Sequence, residues 1–204
     1  NTSPVGYNGT TTYTVNMPSC CVSITTLPPM VGWWTFDETS GTTFFDRAGF
    51  NNQGTQVNTL GFISGKVAGA LNFSSGYVSV PTHADMNVFV CDSLSIDAWI
   101  KTTGSSTYAI VEKREMTTCG QPVGYSFFVQ NGRLGFQTSN GVSFSNFLTP
   151  VLTPPINNGN WQHVAVTMNR TPTNSTIRLY RDGILVQTST TTGLVGGLQN
   201  GSPL

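Results

Sequence analysis

From Val31 onward, apolar and polar residues alternate in short runs separated by turn-forming residues, the period-two signature of half-buried strands. Leu94, Ile96, Ala98 and Ile100 fall on one face of such a run; Ser95, Asp97, Trp99 and Lys101 fall on the other. Tyr125 to Gln130 and Arg133 to Thr138 flank Asn131-Gly132, and Ile177 to Arg181 and Ile184 to Thr188 flank Asp182-Gly183. Asn140-Gly141 stands between the run ending at Ser139 and a further one from Val142 to Phe147. These dipeptides suit the type I′ turn, which needs a positive φ at both central residues. Trp161 to Asn169 is expected to be the longest strand. No segment carries helical periodicity and no internal repeat is apparent. The pattern predicts an all-β, two-sheet antiparallel β-sandwich built from sequential hairpins.

Composition agrees with this. Thr, Ser and Asn supply 30, 19 and 17 residues, whereas Ala, Glu and Lys together supply 13, which disfavours helices. Charged residues make up 9% of the chain, against about 25% in an ordinary soluble domain. Nine basic and nine acidic residues balance, so binding to nucleic acid by counterion release lacks its main ingredient. No run of apolar residues is long enough for a membrane-spanning helix. Low charge, abundant Thr, Ser and Asn, and four cysteines point to an extracellular or cell-surface setting.

Residues 1–30 read as a separate strand-forming arm or linker, closed by Pro28-Pro29, with residues 31–204 as the sandwich. Within the arm, Tyr13, Val15 and Met17 alternate with Thr12, Thr14 and Asn16. Cys91 precedes the run from Leu94 to Lys101, and Cys119 follows the run from Tyr108 to Lys113. If those runs pair as an antiparallel hairpin, both cysteines reach the same end and a Cys91–Cys119 disulfide is geometrically reasonable. Cys20 and Cys21 are adjacent: they form a strained ring, remain thiols, or bond residues outside this chain. N-glycosylation acceptor sequences begin at Asn1, Asn8, Asn72, Asn169, Asn174 and Asn200; Asn8, Asn72, Asn169 and Asn174 are the preferred candidates.

The chain offers no catalytic constellation, so no enzyme is expected. The nine acids contain no same-face carboxylate cluster of the kind β-sandwich glycosidases place on one strand. Glu112 and Glu115, which flank Lys113-Arg114, read as a solvated charged turn. His163 reads as a structural hydrogen-bonder, since no nucleophile element accompanies it. His83 reads as a loop residue. The cysteines and histidines are too far apart for zinc. Gly61 to Val67 superficially matches a phosphate loop, but its spacing is one residue short and no Ser or Thr follows Lys66.

Several motifs in order resemble the laminin-G-like domains of the concanavalin A-like lectin/glucanase superfamily. They begin with Trp33-Trp34-Thr-Phe-Asp-Glu, then Asp46-Arg-Ala-Gly49 and Gly65-Lys-Val-Ala-Gly-Ala-Leu-Asn-Phe73. Leu94-Ser-Ile-Asp-Ala-Trp-Ile100, Trp161-Gln-His-Val-Ala-Val166 and Leu179-Tyr-Arg-Asp-Gly183 continue the series. The resemblance, over about residues 31–200, implies a jelly roll and a non-catalytic module for glycan binding or adhesion to cell-surface components. It also implies a calcium ion near Asp46; the alternative is that Asp46 only caps its turn through Asx-type hydrogen bonds. Trp99 and Tyr108 are the expected sugar-contacting aromatics, Trp99 because it lies opposite the apolar face of its strand. Such domains usually continue with two strands beyond the position of Pro203-Leu204. The sandwich is therefore expected to lack its C-terminal strands or to receive one from elsewhere. A second reading follows, a self-assembling filament subunit whose arm completes a neighbouring copy.

Overall fold

The computed structural model describes residues 30–118, 120–192 and 196–204. Among the described residues, five short strands come first: β1 (Thr43–Phe44), β2 (Gly54–Val57), β3 (Gly61–Ser64), β4 (Gly69–Asn72) and β5 (Tyr77–Ser79). A single 3₁₀ turn, Ala84–Met86, leads into the longer ones. These are β6 (Leu94–Ile100), β7 (Thr107–Met116), β8 (Pro122–Gln130), β9 (Arg133–Asn140), β10 (Phe144–Leu148), β11 (Gln162–Arg170), β12 (Asn174–Arg181) and β13 (Ile184–Thr192). All ladders are antiparallel. Two four-stranded sheets, β10-β9-β8-β7 and β13-β12-β11-β6, form the jelly-roll sandwich, beside smaller β1-β2-β5 and β3-β4 sheets.

The period-two pattern becomes alternating burial in β11 and β12, whereas β8 and β9 are buried on both faces. Tyr125, Phe127 and Val129 of β8, with Leu134 and Phe136 of β9, meet Val164, Val166 and Met168 of β11 and Ile177 and Leu179 of β12. Leu94, Ile96 and Ile100 pack against this core, as their alternation predicts. Full burial of each large apolar side chain contributes about 1.5–3 kcal/mol. The hairpin turns use left-handed backbone where expected: φ is 49° and 73° at Asn131-Gly132, and 49° and 78° at Asp182-Gly183. The Asn140 side chain closes its own turn by accepting from Val142 N at 3.0 Å and Ser143 N at 2.7 Å.

Three expectations change. β6 and β7 do not pair: β6 joins β11 and β7 joins β8, so consecutive strands cross between sheets. The hairpin premise for Cys91–Cys119 therefore falls away, while the bond itself lies outside the described residues because Cys119 does. The longest strand is β7, not the one at Trp161 to Asn169. Finally, Glu112, Lys113, Arg114 and Glu115 are not a solvated turn but part of β7, with Lys113 wholly buried.

Lys113 pins the C-terminal segment. Its Nζ donates to Ser202 O at 2.7 Å and Thr82 Oγ1 at 3.1 Å, with Asn200 O and Oδ1 both at 3.4 Å. Desolvation lowers its pKa, and the nearby Glu115 carboxylate opposes that shift without cancelling it. Val80 and Leu204 exchange two backbone hydrogen bonds of 2.7 and 2.9 Å along the same seam.

Candidate functional site

A polar recess lies on the outer face of the β10-β9-β8-β7 sheet. A β-bulge between Ala109 and Val111 creates it. Before the bulge, Thr107 and Ala109 face outward; beyond it the parity reverses, so Val111 and Lys113 turn inward while Glu112 and Arg114 join Thr107 and Ala109 outside. Ser126, Phe128 and Gln130 of β8, Gln137 of β9 and Asn146 of β10 complete a groove of ≈ 340 Å³.

Four side-chain contacts tie its floor together. Arg114 Nη2 lies 2.9 Å from Glu112 Oε1, and Arg114 Nη1 donates to Gln137 Oε1. Ser126 Oγ donates to Glu112 Oε2 at 3.4 Å, and Gln130 Nε2 donates to Thr107 Oγ1 at 2.9 Å. The Phe128 ring lies against Gly135, where an added Cβ would come within 2.3 Å of its carbons. Phe144 shares the outer face with Asn146, two residues along β10, and is 49% exposed. The lining contains a single carboxylate, whereas glycoside hydrolysis ordinarily uses two.

The residues expected to touch a ligand lie elsewhere and apart. Trp99, 45% exposed, stands on the outer face of the opposite sheet. The Lys66 ammonium sits 5.3 Å from its ring centre and the His163 ring 5.4 Å away. His163 Nε2 also meets Asp97 Oδ1 at 3.2 Å, in keeping with a structural hydrogen-bonding role. Tyr108 is on β7 but pairs with Val129, off the groove face, and its hydroxyl lies over Gly104. The two aromatics therefore build no common platform. His83 pairs with Asp85 at 3.0 Å at the start of the 3₁₀ turn.

The Asp46 carboxylate gathers its own loop. Oδ1 accepts from Trp33 N at 2.9 Å and Ala48 N at 2.8 Å, and Oδ2 accepts from Asn52 N at 3.2 Å. Desolvation raises its pKa, but these amides and that of Phe50 outweigh it and hold the carboxyl below its ordinary value of 3.8. Among the described residues, no group of three or more His, Cys, Asp or Glu side chains is placed to hold a metal ion. Of the acceptor asparagines, Asn72 and Asn169 are exposed, and Asn174 accepts from Thr171 Oγ1 at 3.0 Å. Asn200 Nδ2 is engaged by the carbonyls of Lys113, Val123 and Leu198. Asn1, Asn8, Cys20 and Cys21 lie outside the described residues, as does the alternating stretch of the arm.

A laminin-G family profile, described as the Concanavalin A-like lectin/glucanases superfamily, matches residues 72–204. The chain belongs to this superfamily. The laminin-G match takes in β6 to β13 and therefore every residue lining the groove; it begins after the Trp33-Trp34 and Asp46 motifs. No curated protein matches the chain. Laminin-G-like domains of the superfamily are typically non-catalytic binding modules and commonly extracellular. Among the described residues, no helix is long and apolar enough to cross a membrane.

The groove escaped sequence reading because a bulge has no letter of its own. Glu112 and Arg114 look like neighbours of a charged turn until one extra residue rotates them onto the same face as Ser126 and Gln137. The available signal was Val111, an apolar residue that strict alternation from Thr107 and Ala109 would have placed outward.

Proposed function

We propose that this chain is an extracellular, non-catalytic glycan-binding module whose site is the groove across β7, β8, β9 and β10. One observation carries the reading: a ≈ 340 Å³ recess within the family-matched region, lined by amides, hydroxyls and one ion-paired carboxylate, with exposed Phe144 on the same face. Sugars present hydroxyls that both donate and accept, and a floor of Gln, Asn, Ser and Thr answers both needs. An adjacent aromatic ring offers an apolar surface for a pyranose face. A lone carboxylate bound to Arg114 and Ser126 suits positioning better than acid/base exchange.

Calorimetric titration with a set of oligosaccharides tests this, comparing the native chain with Gln137→Ala and Asn146→Ala. Binding that both substitutions weaken, with unchanged melting temperatures, is expected. Glycan binding indifferent to both would place the site elsewhere.

A further inference from the structure

Building on that reading, we propose that the groove selects uncharged oligosaccharides, and that Glu112 sets this selectivity by neutralising Arg114 within the groove floor. Nine residues line the recess and only two of them are charged, Glu112 and Arg114, which face each other at 2.9 Å. Both carboxylate oxygens have protein partners, Arg114 on Oε1 and Ser126 on Oε2. On the guanidinium, Nη2 meets Glu112 and Nη1 meets Gln137, while Nε is buried without a protein acceptor. With its oxygen committed to Arg114, Gln137 has its Nε2 donor left for a ligand. Gln130, Thr107 and Asn146 add neutral donors and acceptors.

Lys113, Glu115 and Arg133 flank this floor without lining it. Lys113, between the two charged residues in sequence, points into the sandwich toward Thr82, Asn200 and Ser202. Glu115 accepts from Gly201 N on the C-terminal segment at 2.8 Å. Arg133 turns its Nε to Thr149 O at 2.5 Å. A uronate or sulfated sugar entering the groove therefore has two options. It must pull Arg114 away from Glu112, or it must sit beside the Glu112 carboxylate without a counter-charge. Both disfavour it, whereas a hydroxyl-only ligand meets neither obstacle. Exclusion of this kind is an arrangement against the wrong partner as much as for the right one.

The test uses the whole chain on matched pairs of oligosaccharides that share a backbone and differ only in a uronate or sulfate group. The native chain is expected to bind the neutral member at least about tenfold more tightly, with little salt dependence. Glu112→Gln keeps the shape but frees the guanidinium. It is expected to strengthen acidic-sugar binding by about tenfold, and added salt should reverse that gain. The double variant Glu112→Gln/Arg114→Met should lose the gain, and circular dichroism and melting curves report whether each variant is folded. Equal or better binding of acidic sugars by the native chain, still dependent on Gln137, would overturn neutral selection while leaving the groove as the glycan site. A neutral preference unmoved by Glu112→Gln would remove Glu112 from the explanation. If the folded native chain binds neither member of any pair, the groove reading falls and this inference with it.

Discussion

At the scale of single residues, two charged groups matter for reasons other than their charge. Lys113 is buried because three residues in two segments offer it acceptors: the Thr82 hydroxyl, the Asn200 and Ser202 carbonyls, and the Asn200 amide oxygen. Truncation to Ala would leave a cavity and orphaned carbonyls, so Lys113→Ala is expected to cost roughly 2–5 kcal/mol in urea unfolding. Hydrogen exchange should rise first in residues 198–204. The lowered lysine pKa fixes a sign as well. Between the depressed folded value and the ordinary 10.5, the unfolded chain holds more protons than the folded one. This group's contribution to stability therefore rises with pH across that window, and the Lys113→Met protein should lack that rise. Asp46 shows the same sign of pH dependence, at the acid end. Its carboxyl is depressed below 3.8 by backbone amides, so the stability it adds is present above 3.8 and lost as pH falls through the folded value. Because those amides already occupy its oxygens, Asp46→Asn should flatten the acid limb of the stability curve. Melting temperature should be the same in calcium and in chelator; a calcium-dependent rise abolished by Asp46→Asn would assign the ion there.

At the scale of elements, the strands from β6 to β13 were legible and their partners less so. Leu94 to Ile100, the Asn131-Gly132 and Asp182-Gly183 turns and the alternation in β11 follow from local chemistry, which residues carry individually. Whether β6 pairs with β7 or β11 depends on the path of a connection, and no side chain between Lys101 and Ser106 spells that out. The bulge in β7 is of the same kind: it is settled by Val111 gaining a place in the core, a tertiary preference that overrides strict alternation. Gly135 shows how an element shapes the site. It leaves room for the Phe128 ring to lie on β9, and a Cβ there would sit 2.3 Å from that ring. Gly135→Ala should push Phe128 up into the groove. It should cost about 1–3 kcal/mol in thermal unfolding and abolish glycan binding together. A variant that melts lower but binds unchanged would show that Phe128 does not shape the recess.

At the scale of the molecule, the sandwich presents two opposed outer faces, and the sequence directs attention to the one that carries Trp99 rather than to the one with the groove. Trp99 is the conspicuous aromatic, yet Lys66 and His163 already attend its ring, and around it lie Asp97 and the β11 backbone rather than an amide-lined recess. Phe144 is unremarkable in sequence, and only the pairing of β10 with β9 brings it onto the face shared by Gln137 and Asn146. The two faces make a matched pair of experiments, because both rings are about half exposed and neither belongs to the buried core. Phe144→Ala and Trp99→Ala should each change stability by less than about 1 kcal/mol in urea unfolding. Their effects on ligand should then separate. Phe144→Ala is expected to weaken oligosaccharide binding by about tenfold, roughly 1.4 kcal/mol, through the lost apolar contact. Trp99→Ala should leave the dissociation constant unchanged within twofold, about 0.4 kcal/mol. The reverse ranking, measured in the same titrations, would move the glycan to the β13-β12-β11-β6 face and make the ≈ 340 Å³ groove a surface irregularity produced by the β7 bulge.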